Sequence, residues 1–134
     1  MTAIVCIEER GGILFLKRRV GRDAFVCRDI AADHESLIMT EYSRSLFLEL
    51  DVDIKLSDSP LKSAGGGEVC FIESGEIKEN LKKISRLIVY NWNRKYPSDV
   101  KLGFIPTEVG YRLVSSTEFA GKAHEKITKE IYER

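Results

Sequence analysis

Residues 69–90, VCFIESGEIKENLKKISRLIVY, decide the predicted fold. The runs 69–72 and 87–90 are continuously apolar, which is typical of strands covered on both faces. Between these runs, apolar residues recur at helical spacing: Ile77, Leu81 and Ile84. A buried strand, a helix and a second buried strand in this order predict a right-handed parallel crossover.

The chain on the N-terminal side of this unit repeats the pattern. Residues 3–7 and 37–39 are further apolar runs typical of buried strands, and residues 23–31 between them can form a helix. Thr40 is placed to cap a second helix, which runs to about residue 50. Residues 52–56 alternate like a half-buried strand, whereas segment 15–22 is predicted to be a loop.

The C-terminal part follows a different pattern. Residues 111–119 alternate in a way that suits an antiparallel edge pair, and residues 127–132 fit either a short helix or a strand. The sequence therefore predicts an α/β fold with a mostly parallel central sheet, an antiparallel C-terminal edge pair and flanking helices. No repeat or linker interrupts the chain, so we expect residues 1–134 to form one domain.

Composition narrows the classes of function. Lys and Arg number 21 and Asp and Glu number 21, which argues against a nucleic-acid or membrane-surface binder. No apolar run approaches the roughly 18 residues of a membrane span, and the N-terminus lacks the pattern of a signal peptide. Three cysteines in apolar runs predict reduced, buried thiols and a cytoplasmic protein: Cys6, Cys27 and Cys70.

The order of the elements resembles dihydrofolate reductases over nearly the whole chain. The matching stretches are 37–40 (LIMT), 68–75 (EVCFIESG), 85–90 (SRLIVY), 96–100 (YPSDV), 110–114 (GYRLV) and 129–134 (KEIYER). The resemblance implies that family's fold, in which the last stretch is the closing strand. It also implies a small-molecule cleft beside the sheet and NADPH as the cofactor.

A second resemblance is to a group of short bacterial proteins of no established activity. The shared stretches are 18–19, 22–23, 90–94, 96–97 and 124–128. Some members carry the label ribonuclease Z, an enzyme whose two-zinc site needs closely spaced His and Asp residues. This chain has only His34 and His124, so we predict no metal site of that kind.

Asp23 is the candidate catalytic residue. The resemblance places it where dihydrofolate reductases hold a buried carboxylate that contacts an aminopyrimidine edge and assists protonation. We expect burial to raise its pKa toward neutrality. A helix-opening Asp satisfied by backbone amides explains the same position equally well. Cys27 lies one helical turn further on and should face the same pocket, although buried cysteines are usually inert.

Segment 15–22 occupies the place of the family's active-site lid. Its basic residues are Lys17, Arg18, Arg19 and Arg22. We predict that Arg18, Arg19 and Arg22 hold the anionic end of a ligand. The alternative is surface charge paired with Glu8 or Glu9.

Two further features bear on ligand contacts. Tyr90 ends a buried strand at the edge where pockets form in parallel sheets, so it is a candidate ligand contact, with simple packing as the alternative. We favour packing, in the core or at a dimer contact, for Trp92. His124 is interpreted as a surface or capping residue.

The candidate cofactor-binding residues are Ser74 and Gly75, which follow the run 69–72 where the family's turn approaches a diphosphate. Glu73 adds a negative charge there, and residues 41–43 read Glu-Tyr-Ser where the family has an Arg-rich helix start. The connection 47–69 is also too short for the family's adenosine-binding strand and loop. These departures argue against NADPH binding.

The leading prediction is a protein that binds, and in one version converts, a small planar anionic ligand such as a pterin or nucleotide. One alternative is a non-enzymatic interaction protein that retains only the fold. RNA processing that uses Trp92 and Arg94 ranks third, because the net charge is zero. The exposed edge pair near Trp92 is compatible with a homodimer.

Overall fold

Ten strands and three short α-helices make up the computed structural model, which describes residues 1–134. The strands are β1 (Thr2–Ile7), β2 (Gly12–Phe15), β3 (Arg18–Arg19), β4 (Ser36–Met39), β5 (Asp53–Leu56), β6 (Val69–Ile72), β7 (Arg86–Asn91), β8 (Val100–Lys101), β9 (Arg112–Phe119) and β10 (Ile127–Glu133). The α-helices are α1 (Ala24–Asp33), α2 (Glu41–Arg44) and α3 (Pro60–Ser63). Three 3-10 helices span Ser45–Phe47, Gly75–Lys83 and Pro106–Glu108.

Seven strands form the central sheet in the order β5-β4-β6-β1-β7-β10-β9. The first five are parallel to one another, and β10 runs antiparallel to both β7 and β9. The predicted α/β class, with a parallel core and an antiparallel C-terminal edge pair, is therefore confirmed. Residues 127–133 form a strand, as the resemblance implied, because β7 supplies a partner edge for them.

The prediction of a loop over segment 15–22 is wrong. β2 and β3 form a hairpin, which pairs with β8 in a small antiparallel sheet. Its two turn residues, Leu16 and Lys17, have φ of 49° and 66°, the left-handed values of a tight hairpin turn. Neither is the Gly or Asn that usually signals such a turn, so the sequence did not reveal it. We refer to residues 12–22 as the strap.

Two predicted helices are shorter or tighter than expected. The helix after Thr40 keeps one α turn and continues as the 3-10 helix Ser45–Phe47. The segment Gly75–Lys83 is 3-10 on both sides of a kink at Asn80, whose side chain donates to the Glu76 carbonyl at 2.8 Å. Short polar side chains that bond to nearby backbone in this way compete with α-helical geometry.

Two hydrophobic clusters cover the two faces of the sheet. Ile4 and Phe71 lie in one cluster with the buried residues of α1. Ala3 and Val5 lie in the other with Ile77, from the 3-10 helix after β6. This alternation along β1 puts α1 and that 3-10 helix on opposite faces.

The three cysteines form no disulfide. Cys27 and Cys70 are buried, but Cys6 is only half-buried, which corrects part of the expectation. None of the helices is long and apolar enough to cross a membrane.

Phe71→Ala should lower the free energy of unfolding by about 3–5 kcal/mol. The Phe71 side chain is buried and meets the Phe47 ring edge to face, with 5.1 Å between the ring centroids. Urea denaturation measures the change, with Phe15→Ala as the matched control. Phe15 is 41% exposed, so its loss should cost less than about 1 kcal/mol. Equal losses in the two variants would contradict this placement of the core.

Candidate functional site

A cleft of about 470 Å³ opens beside the first turn of α1. The loop 121–124 and the 3-10 helix Ser45–Phe47 form its other walls. The lining residues are Arg22, Asp23, Ala24, Cys27, Ser45, Leu46, Lys122 and Ala123. Predicted site residues 22, 23 and 27 therefore lie together, and Lys122 joins them from almost one hundred residues further along the chain.

Asp23 ties α1 to the loop 121–124. As the cap of α1, it accepts from the backbone N–H of Phe25 at 3.0 Å. Across the cleft it also accepts from the backbone N–H groups of Lys122 at 2.9 Å, Ala123 at 2.8 Å and His124 at 3.1 Å. Only 2% of the residue is exposed. Both carboxylate oxygens are thus occupied by donors of the chain itself.

The expected rise in the pKa of Asp23 is wrong. Burial alone would raise the pKa, but the hydrogen bonds from Lys122, the His124 side chain, Ala123 and Phe25 outweigh it. Together they lower the pKa from its ordinary 3.8 to about 2. At neutral pH this carboxylate is therefore ionised.

His124 is buried rather than on the surface, which corrects its interpretation as a surface residue. Its Nδ1 lies 3.0 Å from Asp23 Oδ2, and its Nε2 lies 2.8 Å from the Tyr96 hydroxyl. Trp92 stacks on the imidazole with 4.7 Å between the ring centroids. A proton on Nδ1 suits the carboxylate, and Nε2 then accepts from the phenol. The result is a continuous chain from carboxylate to imidazole to phenol.

The three predicted anion-binding arginines do not converge. Arg22 lies at the cleft, whereas Arg18 and Arg19 both line a separate groove beside Tyr96. Arg19 turns toward β6, where Nε is 2.7 Å from Glu73 Oε2 and a terminal nitrogen is 2.9 Å from Oε1. Arg19 is therefore paired with a glutamate, though with neither Glu8 nor Glu9, which the alternative suggested.

The remaining predicted residues occupy other positions. Cys27 lines the cleft, and burial raises the pKa of its thiol to about 11, which keeps it protonated. Tyr90 is fully buried and donates to Asp29 at 2.6 Å, so it lies outside the cleft lining. Its side chain points to the α1 face of the sheet, behind the cleft wall, because alternate residues of β7 face opposite sides.

The predicted cofactor-binding residues Ser74 and Gly75 form the start of a 3-10 helix. The Ser74 side chain accepts from the Glu76 backbone N–H at 3.4 Å and caps the 3-10 helix that Gly75 begins. No group of three or more His, Cys, Asp or Glu side chains is arranged to hold a metal ion.

Comparison with solved structures shows the fold. Dihydrofolate reductase from Enterococcus faecalis, in complex with NADP(H) and RAB-propyl, is similar with a TM-score of 0.69 and 13% sequence identity. The match covers 99% of this chain and 95% of that chain. The protein therefore has a dihydrofolate reductase-like fold.

The sequence comparisons found nothing further. No protein-family model matches the chain, and none of the curated proteins matches it. The resemblance to the group labelled ribonuclease Z has no support in these findings.

A dinucleotide does not fit the residues at the carboxyl end of β6. Glu73 places a carboxylate directly after the strand, and Ser43 donates to it at 2.8 Å beside the two bonds from Arg19. A diphosphate at this point would have to displace Glu73 from Arg19 before the guanidinium could bind it.

The Asp23→Asn variant should remove a pH dependence of stability. The folded-state pKa of Asp23 lies below its ordinary value, so its contribution is complete above about pH 4 and is lost as the pH falls toward 2. The difference in unfolding free energy between wild type and Asp23→Asn should thus shrink by about 2 kcal/mol between pH 6 and pH 2. Urea denaturation at both pH values measures it.

Asp51→Asn is the control, since Asp51 is exposed and makes no side-chain hydrogen bond or ion pair. Its small effect should be the same at both pH values. A difference between wild type and Asp23→Asn that does not change with pH would contradict the anchoring role of the carboxylate.

Proposed function

We propose that the protein binds a small anionic ligand with a flat polar ring, of the pterin or nucleotide class, in the cleft beside α1. The observation that carries this proposal is the pair of exposed cations at the cleft, Arg22 and Lys122. Neither makes an ion pair, whereas Arg19 on the same strap is fully engaged.

The charges of the cleft favour an anion. Asp23 is the one acidic residue of the lining, and five donors of the chain surround its oxygens. These donors compensate its charge, so Arg22 and Lys122 dominate the field in the open part of the cleft. The Ser45 hydroxyl adds a neutral polar group to the lining.

The size and the walls of the cleft suit a small molecule. Its volume of about 470 Å³ lies within the ordinary range of ligand pockets. Ala24, Leu46 and Ala123 supply an apolar lining against which a flat ring can pack. The reductase of the same fold is itself in complex with small molecules, which supports a ligand beside this sheet.

Asp23 acts as a positioning residue in this proposal. Its bonds to the backbone of Lys122 and Ala123 hold the loop against α1 and so keep the Lys122 side chain at the cleft. Direct contact of Asp23 with a ring would require it to give up donors that it already has.

Binding of folate or AMP should depend on the two cations. We expect at least one of these probes to stabilise the protein by about 2.7 kcal/mol at one hundred times its Kd. Arg22→Ala and Lys122→Ala should each weaken that binding by about tenfold, because each removes a charge-assisted contact. Thermal shift identifies the binding probe, and isothermal titration calorimetry gives its Kd.

Arg112→Ala and Lys95→Ala are matched controls that remove the same exposed charges elsewhere. They should leave the Kd unchanged within about twofold. The proposal is overturned if neither probe binds, or if the controls weaken binding as much as the cleft variants.

A further inference from the structure

The strands β1 and β6 lie at the point where the connections that follow the strands change from one face of the sheet to the other. They are parallel neighbours, yet the chain leaves β1 toward α1 on one face and leaves β6 toward the 3-10 helix Gly75–Lys83 on the other. In open α/β sheets such a point opens a crevice at the carboxyl ends of the strands, and ligands commonly bind there.

In this protein an ion pair lies at the carboxyl end of β6, where such a crevice would open. Glu73 follows β6 directly, and Arg19 of the strap reaches it through two hydrogen bonds, of 2.7 and 2.9 Å. The side chains are only 15% and 10% exposed. The planar guanidinium thus takes the place beside the strand end that an anionic ligand would need.

Further contacts hold the Arg19–Glu73 ion pair in place. Ser43 donates to Glu73 at 2.8 Å. Arg19 also donates to the Tyr42 carbonyl at 3.1 Å, and its guanidinium lies 4.2 Å from the centre of the Tyr42 ring. Burial alone would lower the pKa of Arg19, but the bonds to Glu73 raise it, so the cation persists.

We propose that Glu73 is a specificity-determining residue, which excludes diphosphates and dinucleotides from the crevice and latches the strap over it. A diphosphate would have to separate Arg19 from a half-buried carboxylate and then face that carboxylate at close range. The ligand of the protein is thereby confined to the neighbouring cleft at Arg22 and Lys122, a consequence that rests on the proposed function.

Removal of the Glu73 carboxylate should turn the position of the Arg19–Glu73 ion pair, which we call the latch, into an anion-binding site. Arg19 would remain oriented by the Tyr42 carbonyl and ring, and the Ser43 hydroxyl would lose its acceptor. Both groups would then lack their acidic partner, at the strand end where phosphoryl groups bind in this class of sheet.

The test uses inorganic pyrophosphate and NADP⁺ as probes, with binding measured by isothermal titration calorimetry. Wild type should bind neither probe in the crevice, and Glu73→Ser should bind pyrophosphate at least about tenfold more tightly than wild type. The double variant Arg19→Met, Glu73→Ser should lose this gain. Wild-type binding of either probe as tight as that of Glu73→Ser would overturn the proposal.

Glu41→Ser controls for net charge, because Glu41 is an exposed glutamate of the adjacent α2 that pairs only with Arg44. An equal gain in this variant would overturn the proposal, since any lost negative charge would then suffice. If Glu73→Ser does not fold, Glu73→Gln preserves the size and an acceptor for Ser43. Gln removes the negative charge, but its side chain still fills the position beside Arg19, so this variant should show a smaller gain in the same direction, and no gain would overturn the proposal.

The proposal for Glu73 and the proposal for the cleft can be tested independently of each other. The pyrophosphate gain depends on Arg19 and Glu73, whereas folate or AMP binding depends on Arg22 and Lys122. A gain that survives in an Arg22→Ala, Lys122→Ala background supports the latch independently of the cleft. A gain that disappears in that background places pyrophosphate in the cleft and overturns the latch.

Discussion

The hydrogen bonds of Asp23 hold together two parts of the chain that share no other strong polar contact. Its carboxylate caps α1 and at the same time binds three consecutive backbone N–H groups of residues 122–124. A buried carboxylate is stable only where donors replace water, and here five of them do so. The cleft wall exists because that requirement pulls the loop onto the helix.

The same constraint sets the protonation state of the site. With Asp23 ionised and His124 directed by it, the imidazole presents its other nitrogen to Tyr96. Trp92 stacks on the ring. Polar groups in such a network are mutually satisfied, which favours a single rigid arrangement over a chemically labile one.

Neighbouring basic residues have different roles because of the strap hairpin. The hairpin turns Arg19 inward to Glu73, leaves Arg18 in a separate outer groove, and ends where Arg22 reaches the cleft. An arginine in a half-buried bidentate pair attracts an anionic ligand only weakly, because its charge is neutralised by the carboxylate. An unpaired arginine keeps its full attraction for an anion. The number of basic residues in a stretch of sequence therefore does not predict how many unpaired cations face a cleft.

The site was only partly predictable from sequence. Asp23 and Cys27 were identifiable, because helix spacing places both on one face of α1. Lys122, His124 and Tyr96 were not, since they come from loops with no local signal and lie far along the chain from Asp23. The direction of the pKa shift of Asp23 could not be predicted either. It depends on backbone N–H groups that reach the carboxylate only when the loop is folded.

The sequence by itself determined the central sheet. Continuous apolar runs such as those of β1, β6 and β7 can be stable only when covered on both faces, and this requirement leads to parallel strands under helices. Tertiary structure alone decided the strap hairpin, the latch of Arg19 on Glu73 and the anchoring of the loop 121–124 by Asp23. Hydrophobic periodicity is a local property of the chain, but the pairing of a buried charge depends on which distant groups the fold brings within about 3 Å of it.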